Sequence, residues 1–116
     1  MSANASPTPH HTLTIDLTYT EDTPTLVCRG RITQESAGQF KAQVKSLSPQ
    51  NKFLRADMSG VDFVDSAGLG SILGTYISAK NDGCELKLIN VNPRIKDLLD
   101  LTSLSKMLEG SAQRKS

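Results

Sequence analysis

The residues whose side chains could take part in chemistry are concentrated between Asp57 and Gly70. Three carboxylates stand there, at Asp57, Asp62 and Asp65, and Ser66 directly follows the last of them. Carboxylates are oxygen ligands that Mg²⁺ binds, and a serine hydroxyl can accept a phosphoryl group. The segment lacks a glycine-rich phosphate loop with a lysine, a nearby histidine and a base to activate a nucleophile. We therefore predict neither an enzyme nor a metal site, and we expect no cofactor.

Ser66 is expected at the N-terminus of a helix, because the apolar residues that follow it recur at helical spacing. Backbone N–H groups lack partners there and the helix dipole is positive, which favours a phosphoryl group. Phosphorylation adds roughly −1.5 to −2 charges at neutral pH, here beside Asp65 and near Asp62. A partner protein that binds this segment in its unphosphorylated form is repelled once the phosphate is present. The alternative is that Ser66 is simply the N-cap, for which serine is among the commonest residues.

Gly68 and Gly70 fall in the first turn of that helix. Each glycine lowers helix propensity by roughly 1 kcal/mol relative to alanine. We interpret both as leaving the start of the helix bare, so that the backbone of another protein can approach it closely.

The hydrophobic pattern predicts three helices and four strands, and the chain opens with a hairpin. Strands and helices alternate after the hairpin, which favours an α/β sheet with right-handed crossovers. The predicted elements are strands at 12–20 and 25–32 around a turn at 21–24, a helix at 33–47 capped by Thr33 or Ser36, a strand at 52–58, a loop at 59–65, a helix at 66–81 closed by Gly83, a strand at 84–91 and a helix begun by Asn92-Pro93.

Two of these elements show a clear apolar face. In the first strand the apolar residues alternate with polar ones, which predicts a half-buried strand with Leu13, Ile15, Leu17 and Tyr19 on one side. In the helix at 66–81 the apolar residues form a single predicted stripe of Leu69, Ile72, Leu73, Tyr76 and Ile77.

Composition and charge exclude several classes of protein. The 116 residues are 37% hydrophobic and 22% charged with a net charge of +1, which fits one soluble domain and gives no basic surface for nucleic acid. No apolar run approaches the roughly 18 residues of a membrane span, and residues 1–9 do not read as a secretory signal. We predict a cytoplasmic protein without direct membrane contact. Cys28 and Cys84 are predicted to be reduced core thiols, the alternative being a disulfide.

One domain is predicted at 12–110. Residues 1–11 are expected to form a disordered N-terminal tail, because Ser, Ala, Thr and Pro dominate them. Residues 111–116 are expected to form a C-terminal tail, and 104–108 to add at most one short element before it.

The run from Asp57 to Gly70, Asp-Met-Ser-Gly-Val-Asp-Phe-Val-Asp-Ser-Ala-Gly-Leu-Gly, resembles the signature of STAS domains, in particular the bacterial anti-sigma factor antagonists. Gly30 near the end of the second strand and the segment 88–93 also look like parts of that family, so the resemblance covers roughly 12–109. It implies the STAS fold, a four- to five-stranded mixed sheet covered by helices mainly on one face.

The resemblance also implies a function. In this family the unphosphorylated antagonist binds an anti-sigma factor that is also a serine kinase, and the sigma factor is released. The kinase phosphorylates the antagonist, and a phosphatase of the PP2C type reverses the modification. Carried over by motif, Ser66 is the phosphorylation site. The implied partner-binding residues are Asp57, Ser59, Asp62, Asp65, Ser66, Ala67, Gly68 and Leu69.

Two departures from the family pattern bear on this implication. Ala67 stands where many relatives carry a second hydroxyl residue, so Ser66 is the sole acceptor in the motif. Arg31-Ile32-Thr33 fills the stretch where many relatives have an acidic residue, which removes any contact made by that carboxylate.

Three alternatives to the switch remain open. A STAS scaffold or sensor component would self-associate in a larger signalling assembly, whereas the switch is expected to be a monomer or weak dimer. A STAS subunit of a membrane transport complex would not need the Asp65-Ser66 pair. An enzyme would have to use Asp57, Asp62 and Asp65 for acid–base or Mg²⁺ chemistry.

Overall fold

The computed structural model describes residues 13–101, and these form a four-stranded sheet with three α-helices. The strands lie in the order β1-β2-β3-β4; β1 and β2 are antiparallel, and the other two pairs are parallel. The predicted α/β class and mixed sheet are confirmed. The predicted tails and the short element at 104–108 lie outside the described residues. The elements are β1 Leu13–Thr20, β2 Thr23–Ile32, α1 Ala37–Leu47, β3 Phe53–Val64, α2 Ser66–Asn81, β4 Glu85–Ile89 and α3 Pro93–Leu101.

The core lies on one face of the sheet, where α1 and α2 pack together. Both helices connect neighbouring parallel strands in the same direction along the sheet, so right-handed crossovers place them on the same face. The inward side chains of β2, β3 and β4 alternate with half-buried or exposed ones, as strands covered on one face require. The inward residues are Leu26, Cys28, Leu54, Ala56, Met58, Leu86 and Leu88, all at most 1% exposed.

Element ends are set by local hydrogen bonds that the sequence pattern does not show. The hairpin turn contains only Glu21 and Asp22, both with positive φ as in a type I′ turn, so β2 begins earlier than predicted, at Thr23. Helix α1 begins at Ala37 instead of Thr33, and Ser36 makes no capping bond to it. The Ser36 hydroxyl instead donates to the Arg31 carbonyl at 2.7 Å, which ties the start of the helix to β2.

The predicted loop at 59–65 is wrong, because β3 continues through Val64. Beyond Asp57 the strand pairs with the end of β2, and the register shifts between Val27 and Arg29 and again between Gly30 and Arg31. Gly60 makes the close approach at this irregular place, since a Cβ there would lie 2.6 Å from Arg29 Cγ. The longer strand carries the motif along the sheet to the edge where α2 starts.

Two predicted apolar faces are only partly buried. In β1, Leu13 is buried, but Leu17 and Tyr19 are 47% and 61% exposed, because the helices do not cover the far end of this outer strand. In α2, Ile72 is buried but Ile77 is 49% exposed. The face of α2 that packs inward comprises Gly68, Ile72, Thr75, Tyr76 and Ala79.

Both cysteines are buried and unbridged, which confirms the prediction of free core thiols. Burial, aided by the negative charge of Asp57, raises the pKa of Cys28 to about 12. Burial also raises the pKa of Cys84, with further contributions from Glu85 and Asp82. Thiols with raised pKa values stay protonated at neutral pH and are therefore poor nucleophiles.

Asp82, at the C-terminus of α2, joins the ends of both packed helices. Its carboxylate accepts hydrogen bonds from Ser48 Oγ at 2.6 Å and Lys45 Nζ at 2.9 Å. These two bonds hold the pKa of Asp82 below its ordinary value. Such a group stabilises the fold above its unfolded pKa, and this contribution is lost as the pH falls through the folded pKa.

We expect Asp82→Asn to lower the Tm at neutral pH, with the difference from the native chain shrinking as the pH falls below about 3.9, the ordinary aspartate pKa, and vanishing once the pH is below the lowered pKa of the folded state. Thermal unfolding followed by circular dichroism across that pH range measures it. The control is Asp16→Asn, which removes an exposed ion pair with Arg29 and should change the Tm little. A difference that persists unchanged into strong acid would contradict this assignment.

Candidate functional site

The N-cap of α2 is Asp65, not Ser66. Asp65 has extended backbone angles, and its Oδ1 accepts a hydrogen bond from the Gly68 N–H at 2.7 Å. Ser66 is therefore the first residue of the helix. Its side chain is exposed, and no residue between 13 and 101 holds its hydroxyl in a hydrogen bond. The alternative of a capping serine is thus replaced by a free hydroxyl at the helix start.

Asp65 also fastens the loop between β2 and α1. Its Oδ2 accepts from the Gln34 N–H at 3.4 Å, and its own N–H donates to the Ile32 carbonyl at 3.3 Å. A shallow groove of about 270 Å³ opens between this loop and the carboxylate, lined by Thr33, Gln34, Glu35 and Asp65. One aspartate therefore positions both the start of α2, where Ser66 lies, and the neighbouring loop.

Gly68 has an internal role that the sequence did not reveal. It is buried, and a Cβ at this position would lie 2.7 Å from the Ile32 carbonyl carbon and closer still to its oxygen. The missing side chain lets the first turn of α2 pack directly on the end of β2. Gly70 differs, because it is exposed and a Cβ there would meet nothing within 4 Å. Both glycines were predicted to leave the start of the helix bare for another protein, and of the two only Gly70 lies at the surface.

The other motif residues of this helix turn are divided between surface and interior. Ala67 is exposed beside Ser66, whereas Leu69 is half-buried against the core. An incoming protein can therefore reach Ser66, Ala67 and Gly70 on the first turn.

Asp57 and Ser59 lie further back along β3. Asp57 Oδ1 accepts from the Ser59 N–H at 3.0 Å and from Asn90 Nδ2 at 3.2 Å. Partial burial by itself raises the pKa of Asp57, but these hydrogen bonds and the nearby charge of Arg29 outweigh it and hold the pKa below its ordinary value. Asp57 is therefore ionised at neutral pH and shapes the exposed backbone at Ser59.

Asp62 is exposed and borders a second groove, of about 500 Å³, formed with the start of α3. Asn92 fixes this junction: its Oδ1 accepts from the Ile95 N–H at 2.9 Å, and its Nδ2 donates to the Val61 carbonyl at 3.1 Å. The first bond is the predicted asparagine cap of α3. The groove is lined by Asp62, Asn92, Pro93, Arg94 and Asp97.

Arg31 and Phe63 form a surface pair that the sequence pattern does not show. The Arg31 guanidinium lies 4.8 Å from the centre of the Phe63 ring, and Phe63 is 42% exposed. Cross-strand neighbours in β2 and β3 bring them together. An exposed aromatic residue next to charged groups is typical of protein contact surfaces. Arg31 departs from the family pattern and was the only hint of this pair in the sequence. Its partner could not be predicted, because the pairing of β2 with β3 joins residues thirty or more positions apart.

This geometry suits recognition by another protein. A free serine hydroxyl at a helix start follows Asp65, which lines one groove, and Asp62, four positions before it, lines the other. Within residues 13–101, no group of three or more acidic, histidine or cysteine side chains is arranged to hold a metal ion. Of the three carboxylates considered for Mg²⁺, Asp57 and Asp65 accept hydrogen bonds at different places, and Asp62 borders the second groove. In the described part of the chain, no helix is long and apolar enough to cross a membrane.

Comparison with known proteins identifies the family. A family model described as "Mlab, STAS domain" matches residues 15–109. The chain is 31% identical over 101 residues to the anti-sigma-B factor antagonist of Bacillus subtilis, which covers 87% of this chain and 93% of that protein. The chain therefore belongs to the STAS domain family.

Solved structures share the same fold at low sequence identity. The unphosphorylated anti-sigma factor antagonist SpoIIAA superposes with a TM-score of 0.67 at 18% identity, covering 82% of this chain and 85% of SpoIIAA. The phosphorylated form of the Bacillus SpoIIAA gives a TM-score of 0.63 at 18% identity, covering 82% and 88%. The STAS fold predicted from the motif is thus confirmed.

Proposed function

We propose that this chain is an anti-sigma factor antagonist whose partner binding is controlled by phosphorylation of Ser66. In its unphosphorylated form it binds an anti-sigma factor that is also a serine kinase, and this binding releases the sigma factor. The relative named an anti-sigma-B factor antagonist, similar over 93% of its length, supports the antagonist role. The proposed place of action is the cytoplasm, and a phosphatase of the PP2C type restores the active form.

The observation that carries the proposal is the free Ser66 hydroxyl at the first position of α2. A kinase needs an exposed hydroxyl whose backbone is held in a defined position, and the Asp65 cap supplies that position. The switch itself is electrostatic. The added phosphate brings roughly two negative charges next to the Asp65 carboxylate, which already uses the Gly68 N–H. The partner binds a surface without this phosphate. The phosphate therefore opposes binding, through charge repulsion and through the hydration shell that would have to be removed.

The docking surface consists of the exposed first turn of α2 and the two grooves beside it. Ser59, Asp62, Ser66 and Ala67 are exposed contacts in this proposal. Asp57, Asp65, Gly68 and Leu69 are half-buried or buried, and they act mainly by shaping that surface.

Intact-mass spectrometry tests the acceptor. The chain is incubated with ATP, Mg²⁺ and a lysate of its source cells, and we expect a single added phosphate. The phosphate should be absent from Ser66→Ala and present in Ser59→Ala, since Ser59 is the other exposed serine of the motif. A lysate with demonstrated kinase activity that leaves the native chain unmodified would contradict the proposal, as would modification that survives Ser66→Ala.

A further inference from the structure

The outer edge of β1 is an unpaired sheet edge. β1 pairs with β2 on one side, and none of the strands in residues 13–101 pairs with its other side. Its eight residues keep an unbroken register with β2, and residues 16–20 are all exposed. Leu17 and Tyr19 present large apolar side chains there, 47% and 61% exposed.

β1 lacks the devices by which proteins usually block such an edge. Natural edge strands carry lysine or proline, a bulge, an inward-pointing charge or a very short length. β1 has no lysine, no proline and no register shift. Its one charged residue, Asp16, is paired with Arg29 Nη1 at 3.0 Å across the hairpin. Apart from the Leu13 carbonyl, which accepts from Gln39 Nε2 at 2.7 Å, the part of the chain that the structure describes leaves this edge open to another strand.

We propose that β1 pairs antiparallel with β1 of a second copy of this chain, about a two-fold axis at Leu17. A two-fold interface is self-complementary, so each residue i faces a residue j with a constant sum i + j. When the axis passes through a residue, odd positions face odd positions. In β1 the odd positions are apolar and the even ones polar, so every such pairing matches like with like.

Charge and overlap together select the register among the symmetric ones: an axis at Leu17 pairs residues 14–20 of β1, whereas an axis at Ile15 or Thr18 pairs only 13–17 or 16–20. An axis at Asp16 sets two carboxylates directly opposite each other, which is unfavourable. An axis at Leu17 sets Asp16 opposite Thr18 of the second copy and brings no like charges together. Leu17 then faces Leu17 of the second copy, Ile15 faces Tyr19, and Thr14 faces Thr20. Aromatic and branched cross-strand pairs of this kind stabilise sheets.

The second copy is the favoured occupant because β1 has the same pattern in both chain directions. Apolar residues occupy the odd positions 13 to 19 and polar residues the even positions 14 to 20, so an antiparallel copy of β1 in the Leu17 register meets the same alternation. The apolar pairs also extend the core, since Leu17 lies opposite the fully buried Leu26 on the helix-covered face. β2 lies between β1 and β3 in the sheet, and Ser66 follows the end of β3. A dimer of this form therefore leaves both Ser66 surfaces open and carries two docking sites.

Sedimentation velocity over a concentration series tests the dimer, without reliance on the proposed function. The native chain is expected to reach twice its monomer mass of 12.5 kDa as concentration rises. Leu17→Lys should remain monomeric, because the two lysines would face each other on the axis. The matched control is Ile77→Lys on α2, similarly exposed at 49%, which should dimerise like the native chain. Circular dichroism of each variant checks that it is folded, and Tyr19→Lys serves as a second edge variant.

Mixing complementary charges tests the register. Leu17→Glu alone should be monomeric, but an equimolar mixture of Leu17→Glu and Leu17→Lys should recover the dimer, since opposite charges then meet on the axis. A native chain that is monomeric at millimolar concentration overturns the proposal. So does a dimer that Leu17→Lys leaves intact, or a mixture that fails to associate. Loss of anti-sigma factor binding in Leu17→Lys, with a monomeric native chain, would assign the edge to that partner instead.

Discussion

Gly68→Ala is expected to lower the free energy of unfolding by about 3 kcal/mol, enough to threaten the fold of a domain this size. The new Cβ would lie 2.7 Å from the Ile32 carbonyl carbon, and neither the end of β2 nor the helix backbone is a flexible side chain that can move aside. Relief would require α2 to shift away from β2, which would also disturb the Asp65 bonds to Gly68 and Gln34.

The matched controls are glycines of the same helix with open surroundings. A Cβ at Gly70 or Gly74 meets nothing within 4 Å, so alanine should raise the free energy of unfolding by roughly 0.5–1 kcal/mol through helix propensity. Urea unfolding measures all three variants, and a background with both stabilising alanines keeps Gly68→Ala measurable. A Gly68→Ala variant as stable as these controls would contradict the close packing of α2 on β2.

Ser66→Asp is expected to weaken binding to the anti-sigma factor by at least about tenfold, or 1.4 kcal/mol. The added carboxylate joins Asp65 at the helix start and places like charges on one docking surface. The folded state should not suffer, because an acidic residue in the first helical turn is favourable to the helix dipole. Lost affinity can thus be separated from lost structure.

Isothermal titration with the kinase isolated through the mass assay measures this effect. Ser66→Ala should bind far more tightly than Ser66→Asp, because alanine adds no charge to the docking surface. Ser66→Asn is the matched control, with the size of aspartate but no charge. Equal affinities for Ser66→Asp and Ser66→Asn would show that charge is not the switch.

The helix that carries the site was predictable to the residue. Periodic apolar residues over 66–81 and a following glycine are strong local signals, and the structure places α2 at Ser66–Asn81 with Gly83 at positive φ. The α/β order was predictable for the same reason. The motif itself made the family and the STAS fold predictable.

The details of the site depended on contacts distant in sequence. Asp65 and Ser66 are both good caps, and the bond from Gly68 to Asp65 decides between them. The end of β3 was predicted as a loop because Ser59 and Gly60 are typical turn residues, but pairing with Arg29–Ile32 keeps it extended. The burial of Gly68 depends on where Ile32 lies, and the exposure of Leu17 depends on β1 being outermost.

The most direct test of the switch is a titration of one protein in two states. The native chain is phosphorylated by the isolated kinase and separated by ion exchange, and both forms are then titrated into the anti-sigma factor. We expect tight binding of the unphosphorylated chain, loss of binding on phosphorylation of Ser66, and recovery after treatment with a PP2C-type phosphatase. Equal affinity of the two forms would contradict this expectation.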